Sequence, residues 1–352
     1  MESLIGAETL WIPIDDTSAV GAARRMATGL AGRAGFDEAR TGELAIAVTE
    51  LAGNLHRHAH HGAVALRLTR PYLSDSDTAD PAVEVVALDA GPGLEDFEAH
   101  LRDGYSTGGT LGVGLGAVTR LASTFDAWSQ PGRGTVVAAR FAAPRRPLTR
   151  IGQPAQPGGE RAAGLTRPMA GESACGDAYA VRRTADGVVA VLCDGLGHGP
   201  LAARAAQRAV EVFLDTADED VTALVTRLHR ELKPTRGAAV GVVRHDVSRG
   251  LVQFAGLGNI AGAVLWAGER GRHLTSMPGI AGHQARTIRS FDYPAAENAL
   301  IVLHTDGLNS RWSFDGQWGL AGHDPLVIAS VLLRDAGTRR DDAGVLVLKC
   351  RP

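Results

Sequence analysis

Glu50-Leu51-Ala52-Gly53-Asn54-Leu55-His56-Arg57-His58 is the stretch on which the reading of the first half turns. Four residues advance a helix by about 40° past one full turn, so Glu50, Asn54 and His58 share one stripe. Leu44, Val48, Leu51 and Leu55 form a neighbouring apolar stripe at three- and four-residue spacing. This predicts an amphipathic helix from the capping residue Asp37 to about His58, with an acid, an amide and an imidazole beside its buried face.

Two more pieces follow in order. Val83 to Leu88 reads as a strand that delivers Asp89 into the loop Asp89-Ala90-Gly91-Pro92-Gly93, and the run from Ser106 to Gly116 leads into a helix from Gly114 to about Ser123. Asp89 can accept a hydrogen bond from an exocyclic amine, while Gly91 and Gly93 let the backbone approach a flat base. Asn54 offers a neutral oxygen to Mg²⁺ on a triphosphate. Thr107 and the glycines Gly108, Gly109, Gly112, Gly114 and Gly116 form a lid whose backbone N–H groups, with the helix N-terminus, suit phosphates. Glu50, one turn before Asn54, can take the proton from an attacking hydroxyl. Each piece is a weak signal alone; in this order they specify an ATP site.

These residues resemble the Bergerat-type ATPase superfamily over about residues 10 to 141. Glu50-Leu-Ala-Gly-Asn54-Leu-His-Arg-His58-Ala59 and Asp103-Gly-Tyr-Ser-Thr107-Gly108 are most similar to the RsbT-type anti-sigma and stressosome switch kinases. The resemblance implies phosphorylation of Ser or Thr on STAS-domain partners, with a sigma factor or another regulator downstream. One departure is the absence of Arg or Lys between Thr107 and Val118. Charge on the transferring phosphoryl group then falls to Mg²⁺, helix N–H groups or Arg120. That departure supports a second reading, in which the first half senses ATP and captures a partner while the second half is the only enzyme. The histidines His56, His58, His60 and His61 lack acidic or cysteine partners at ligand spacing; His58 is expected beside the nucleotide and the last two at a helix end.

A second constellation is made of aspartates: Gly176-Asp177, Asp194-Gly195-Leu196-Gly197-His198-Gly199, Asp306-Gly307 and Asp341-Asp342. Asp-Gly pairs commonly mark turns. Here Asp194 and Asp306 follow the apolar runs Val188 to Cys193 and Ala299 to Thr305, so strands carry the carboxylates to a common edge. Several carboxylates converging from separate strands suit a pair of divalent cations that activates water against a phosphomonoester. With Gly171-Glu-Ser-Ala-Cys-Gly-Asp177 and Asp341-Asp-Ala-Gly-Val-Leu346, the set resembles PPM-type metal-dependent Ser/Thr phosphatases of the SpoIIE and RsbX branch, over about residues 160 to 350. The resemblance implies two Mn²⁺ or Mg²⁺ ions. Asp194 would bridge them, Asp177 and the Gly195 carbonyl would hold one, and Asp306 and Asp341 the other. His198 is either a proton donor to the leaving serine oxygen or a residue behind the ligands. Gly344 stands where relatives often have Thr or Ser.

At 352 residues the chain fits about two domains. The run from Ala142 to about Met169 is rich in Pro, Gly and Arg and reads as a linker, centred on 143–159. It separates an N-terminal α/β two-layer domain (1–142) from a C-terminal α+β domain (160–352), which the phosphatase resemblance makes a four-layer αββα sandwich; each is expected to keep its own core. A net charge of −3 without a basic, aromatic-laced run speaks against nucleic acid. Three cysteines without Cys-x-x-Cys spacing support neither a disulfide framework nor a zinc knuckle. With no long apolar run, the expectation is a cytoplasmic protein away from membranes. The assemblies it could form include a homodimer.

Overall fold

The computed structural model describes residues 3–5, 9–69, 81–95, 114–142, 162–217, 220–266 and 271–350. In the first half, α1 (Thr17–Arg33) and α2 (Glu38–His58) precede β3 (Ala63–Thr69) and β4 (Ala82–Leu88), followed by α3 (Gly114–Leu121) and the hairpin β5 (Thr124–Gln130) and β6 (Gly134–Ala142). With β2 (Leu10–Pro13) these strands form an antiparallel sheet in the order β2-β3-β4-β6-β5. The start of α2 is where its sequence puts it, because the Asp37 carboxylate accepts from the Arg40 N–H at 2.7 Å. Leu44, Val48, Leu51 and Leu55 are buried against Val64, Leu66, Val83, Val85, Val137 and Phe141. The buried Arg40 guanidinium ties this layer together, donating to the carbonyls of Leu121 and Ala142 and to Ser123 Oγ.

The second half contains two sheets. One holds β8 (Asp177–Thr184), β9 (Gly187–Gly195), β10 (Ala238–Asp246) and β11 (Leu251–Leu257) in antiparallel sequence. The other runs β12 (Ala261–Leu265), β14 (Leu300–His304), β15 (Ala343–Lys349) and β7 (Ala162–Arg167), with β13 (Phe291–Pro294) pairing β11 of the first sheet. Helices α4 (Pro200–Leu214) and α5 (Val221–Glu231) cover the outer face of the first sheet. Tyr179, Leu192 and Phe254 meet Ile301, Leu303 and Leu346 between the sheets. Helix α6 (Pro325–Ala336) covers the far face of the second sheet and completes the αββα order.

Two features differ from the sequence-based expectation. Within the run read as linker, Ala162–Arg167 is strand β7, fully buried and paired with β15. The halves also do not keep separate cores. The two faces of β4 and β6 serve different neighbours: Val85 and Val137 face the helices, whereas Val86, Leu88, Val136 and Ala138 join one buried cluster with α6 and with Leu165, Val302 and Val345 of the phosphatase-like half. Helix α6 is therefore packed between two sheets, which explains why Pro325 through Leu333 are all buried. Residues 3–5, strand β1, also pair with β8 in the second half, Leu4 opposite Val181.

A buried polar joint crosses the same boundary. Arg67 of β3 pairs with Glu84 of β4 at 2.6 Å, and its guanidinium also donates to Tyr179 Oη at 2.6 Å and to the Gly164 carbonyl. Gly164 is required there, since a Cβ would lie 2.8 Å from the Tyr179 ring. Asp126 holds the start of α6, accepting from the Asp324 N–H at 2.6 Å and pairing with His323 at 2.9 Å.

Candidate nucleotide and phosphatase sites

In the first half, α2 presents Glu50 and Asn54 half-buried, one turn apart. Asn54 Oδ1 accepts from Arg57 Nη2 at 2.8 Å, so its amide oxygen already has a partner from the following turn. The His58 side chain is exposed, and it is the His58 carbonyl that comes near Gly91, 3.4 Å from where a Cβ would stand. His60 contributes through its backbone, its carbonyl accepting from the Ala90 N–H at 3.0 Å.

Asp89 ends β4 buried, with Oδ1 accepting from the Gly91 N–H at 2.6 Å. A Cβ on Gly91 would sit 2.8 Å from that oxygen, and one on Gly93, at φ 69°, would collide with the Gln130 carbonyl at 2.0 Å. Both glycines are therefore steric necessities of the loop that frames Asp89. Burial raises the Asp89 pKa, while the Gly91 N–H and the Arg334 cation pull it back. Gly114 and Gly116 open α3. Thr107, Gly108 and Gly112 lie outside the described residues, so the lid has no geometry here.

In the second half, Asp177 and Asp194 are direct cross-strand partners of β8 and β9. Opposed residues of an antiparallel pair project to the same face, and like charges so placed repel. Asp177 is buried; its Oδ2 accepts from Thr305 Oγ1 at 2.8 Å, while Oδ1 is buried without a hydrogen-bond partner. Burial, and then the neighbouring Asp194, push the Asp177 pKa well up. Asp194 is pushed up to about 7 by burial, then by Asp306, Asp341 and Asp342. Asp306 is raised by burial and by Asp341, and its Oδ2 accepts from Asn259 Nδ2 at 2.7 Å. Repulsion among acids and an orphaned buried oxygen are what a divalent cation relieves, so the donor set fits hard cations.

The array is not a finished cage. Among the described residues, no group of three or more His, Cys, Asp or Glu side chains is arranged to hold one ion, while Asp306 and Asp341 are near enough to Asp194 to raise its pKa. The two adjacent acids near the C-terminus also divide their work. Asp342 accepts from the Met169 N–H at 2.7 Å and the Gly176 N–H at 2.8 Å and so anchors the loop, leaving Asp341 as the candidate ligand. Gly195 lies against α4, where a Cβ would be 2.2 Å from the Ala202 carbonyl. Gly344 is close to Asp177, a Cβ there standing 3.2 Å from Oδ2, and its N–H donates to Thr305 Oγ1 at 2.8 Å. His198 pairs through Nδ1 with Glu172 Oε1 at 2.7 Å, beside a surface depression that also includes Arg236 and Leu201.

Sequence reasoning missed Thr305, Asn259, Glu172 and the anchoring role of Asp342. Thr305 was within sight, since it sits inside His304-Thr305-Asp306; Asn259 and Glu172 meet their partners only through the fold.

Known proteins share both halves. Residues 13–141 match the histidine kinase-like ATPase domain family, and residues 184–351 match the stage II sporulation protein E (SpoIIE) family. The serine/threonine-protein kinase RsbT of Bacillus subtilis is 32% identical over 118 residues, covering 34% of this chain and 84% of RsbT. The phosphoserine phosphatase RsbX of the same organism is 24% identical over 142 residues, covering 40% of this chain and 70% of RsbX. A crystal structure of RsbX in complex with magnesium superposes with a TM-score of 0.48 at 19% identity, over 53% of this chain and 94% of that one. Through its first half the chain belongs to the RsbT family of histidine kinase-like ATPases, and its residues 184–351 match the SpoIIE family.

Proposed function

We propose that this chain both phosphorylates and dephosphorylates Ser or Thr on a STAS-domain regulatory protein, using ATP in the first half and a pair of Mn²⁺ or Mg²⁺ ions in the second. The observation that carries the reading is the cross-strand pair Asp177–Asp194, with its orphaned Oδ1, in one chain with the Glu50–Asn54 stripe and the Asp89 loop. When bound, the cations supply a water acidic enough to attack at neutral pH and neutralise phosphoryl charge. Asp177, Asp194, Asp306, Asp341 and the Gly195 carbonyl would hold them. Thr305 keeps Asp177 oriented through its hydroxyl, Asn259 does the same for Asp306, and Asp342 fixes the Gly176 end of the loop. His198, with Nδ1 paired to Glu172, has Nε2 left to give a proton to the departing serine oxygen.

In the first half, Asp89 would accept from the base amine, Asn54 would serve Mg²⁺ on the phosphates, and Glu50 would take the proton from the incoming hydroxyl. A second reading, in which this half binds ATP and a partner without turnover, is favoured by one contact: Asn54 Oδ1 is held by Arg57. Radiolabelled ATP with a purified STAS-domain protein separates the two. Transfer by the full chain that is abolished in Glu50→Gln, at nearly unchanged ATP affinity, supports the kinase; ATP binding without transfer supports the binding module.

A further inference from the structure

Arg334 belongs to α6 of the phosphatase half, yet its Nη1 donates to the backbone carbonyl of Asp89 at 3.0 Å. The guanidinium is otherwise fixed on every side. Its Nε and Nη2 donate to Asp335 at 2.6 and 3.1 Å, its Cζ lies over the Trp128 ring 5.5 Å from the centroid, and the side chain is 6% exposed. Three backbone contacts hold the Asp89 segment: Asp89 N–H to the Thr135 carbonyl, Ala90 N–H to the His60 carbonyl, and Asp89 carbonyl to Arg334. The first two come from the ATPase half and set the strand end. Only the third, among the described residues, acts on the Asp89 carbonyl, and it arrives from the other half. Its other contacts preorganise the cation, so little ordering cost opposes the bond.

We infer that Arg334 is a positioning residue of the nucleotide site, supplied across the domain boundary: by fixing the Asp89 peptide it aims the Asp89 carboxylate at the exocyclic amine of an adenine base. The inference rests on the nucleotide-site reading above and adds that this site is assembled from both halves. The same helix end also supports the Asp306 loop, since the Ala336 carbonyl accepts from the Asn309 N–H at 2.9 Å and the Thr338 N–H donates to the Gly307 carbonyl at 2.7 Å. The helix end that meets the base-reading acid is thus the one that braces a phosphatase carboxylate.

Calorimetry on the full chain with Mg²⁺ tests this, using ATP and the inosine analogue, which carries a carbonyl in place of the amine. Arg334→Ala should weaken ATP roughly tenfold, the size of one charge-assisted hydrogen bond, and should shrink the preference for ATP over the inosine analogue. A merely structural loss would lower the melting temperature and leave that preference ratio in place. Arg334→Lys, which keeps a cationic donor, should retain most of the preference, and Arg334→Gln should lose it; this pair decides the matter where the alanine variant fails to fold. Wild-type affinity and preference in Arg334→Ala, or equal behaviour of the lysine and glutamine variants, would overturn the inference. Absence of ATP binding by the wild type, or an Asp89→Asn variant with unchanged preference, would instead overturn the nucleotide site itself.

Discussion

Two buried aspartates, Asp89 and Asp177, show how differently the halves treat a carboxylate. Both are raised by burial. Around Asp89 the fold answers with a Gly91 N–H and the Arg334 cation, so the acid is settled before any ligand arrives. Around Asp177 it adds another acid, Asp194, directly opposite, and leaves one oxygen without a partner. The first environment is complete apart from a neutral, directional ligand such as a base; the second is electrostatically frustrated and relieved by cations. Burial alone does not distinguish a binding acid from a metal ligand; the sign of the neighbouring charges does.

The largest expected effect tests the frustrated side. Asp194→Asn should lower Mn²⁺-dependent phosphoserine hydrolysis by roughly a thousandfold, about 4 kcal/mol, and by more than Asp177→Asn, because Asp194 is assigned to both ions. Hydrolysis that survives chelation, or is undiminished in Asp194→Asn, would break the contrast. Next comes the joint between the halves. Glu84→Ala removes the buried partner of Arg67 and should destabilise the chain by about 3–5 kcal/mol in urea titration, whereas converting Arg67 and Glu84 together to methionine should recover most of the loss. A cost below about 1 kcal/mol for the single change would show the joint to be solvated.

The smallest effect sharpens the comparison through pH. The folded pKa of Asp194, about 7, lies above its ordinary value of 3.8, so the folded chain binds the proton more tightly than the unfolded one. Its contribution to stability is full below about pH 4 and is lost as pH rises through about 7. With a chelator present, stability should therefore fall across that window by an amount on the order of a few kcal/mol, and less in Asp194→Asn. With Mn²⁺ the trend should reverse, because ligands bind metal only when deprotonated. A chelated wild type whose urea midpoint has the same pH slope as Asp194→Asn would contradict the assignment.

Much of this was legible in local sequence. Asp37 predicts its helix start through capping, and the apolar run Val188 to Cys193 predicts the strand that ends on Asp194. What was not legible depends on contacts between distant residues. Arg67 and Glu84 carry no local signal of burial, and only the packing of the second half covers their ion pair and brings Arg67 to Tyr179. A signal existed in Pro325 through Leu333, whose apolar character on all sides marks a helix covered on both faces. It did not say by what. The loop acids were recognised as a group and the family resemblance singled out Asp341 as the ligand, but the anchoring work of Asp342 shows only in its hydrogen bonds. The described residues contain no helix long and apolar enough to cross a membrane.

Helix α6, shared by two sheets, has a consequence for supply. Removing the second half would strip apolar cover from Val86 and Val136, and removing the first would open the cluster that holds Val302 and Val345, so each half depends on the other for part of its core. Where a kinase and a phosphatase sit on separate chains, a cell can shift their balance by expressing more of one. Here the RsbT-like half and the SpoIIE-like half are locked at one to one, and their balance cannot be shifted by expressing more of one.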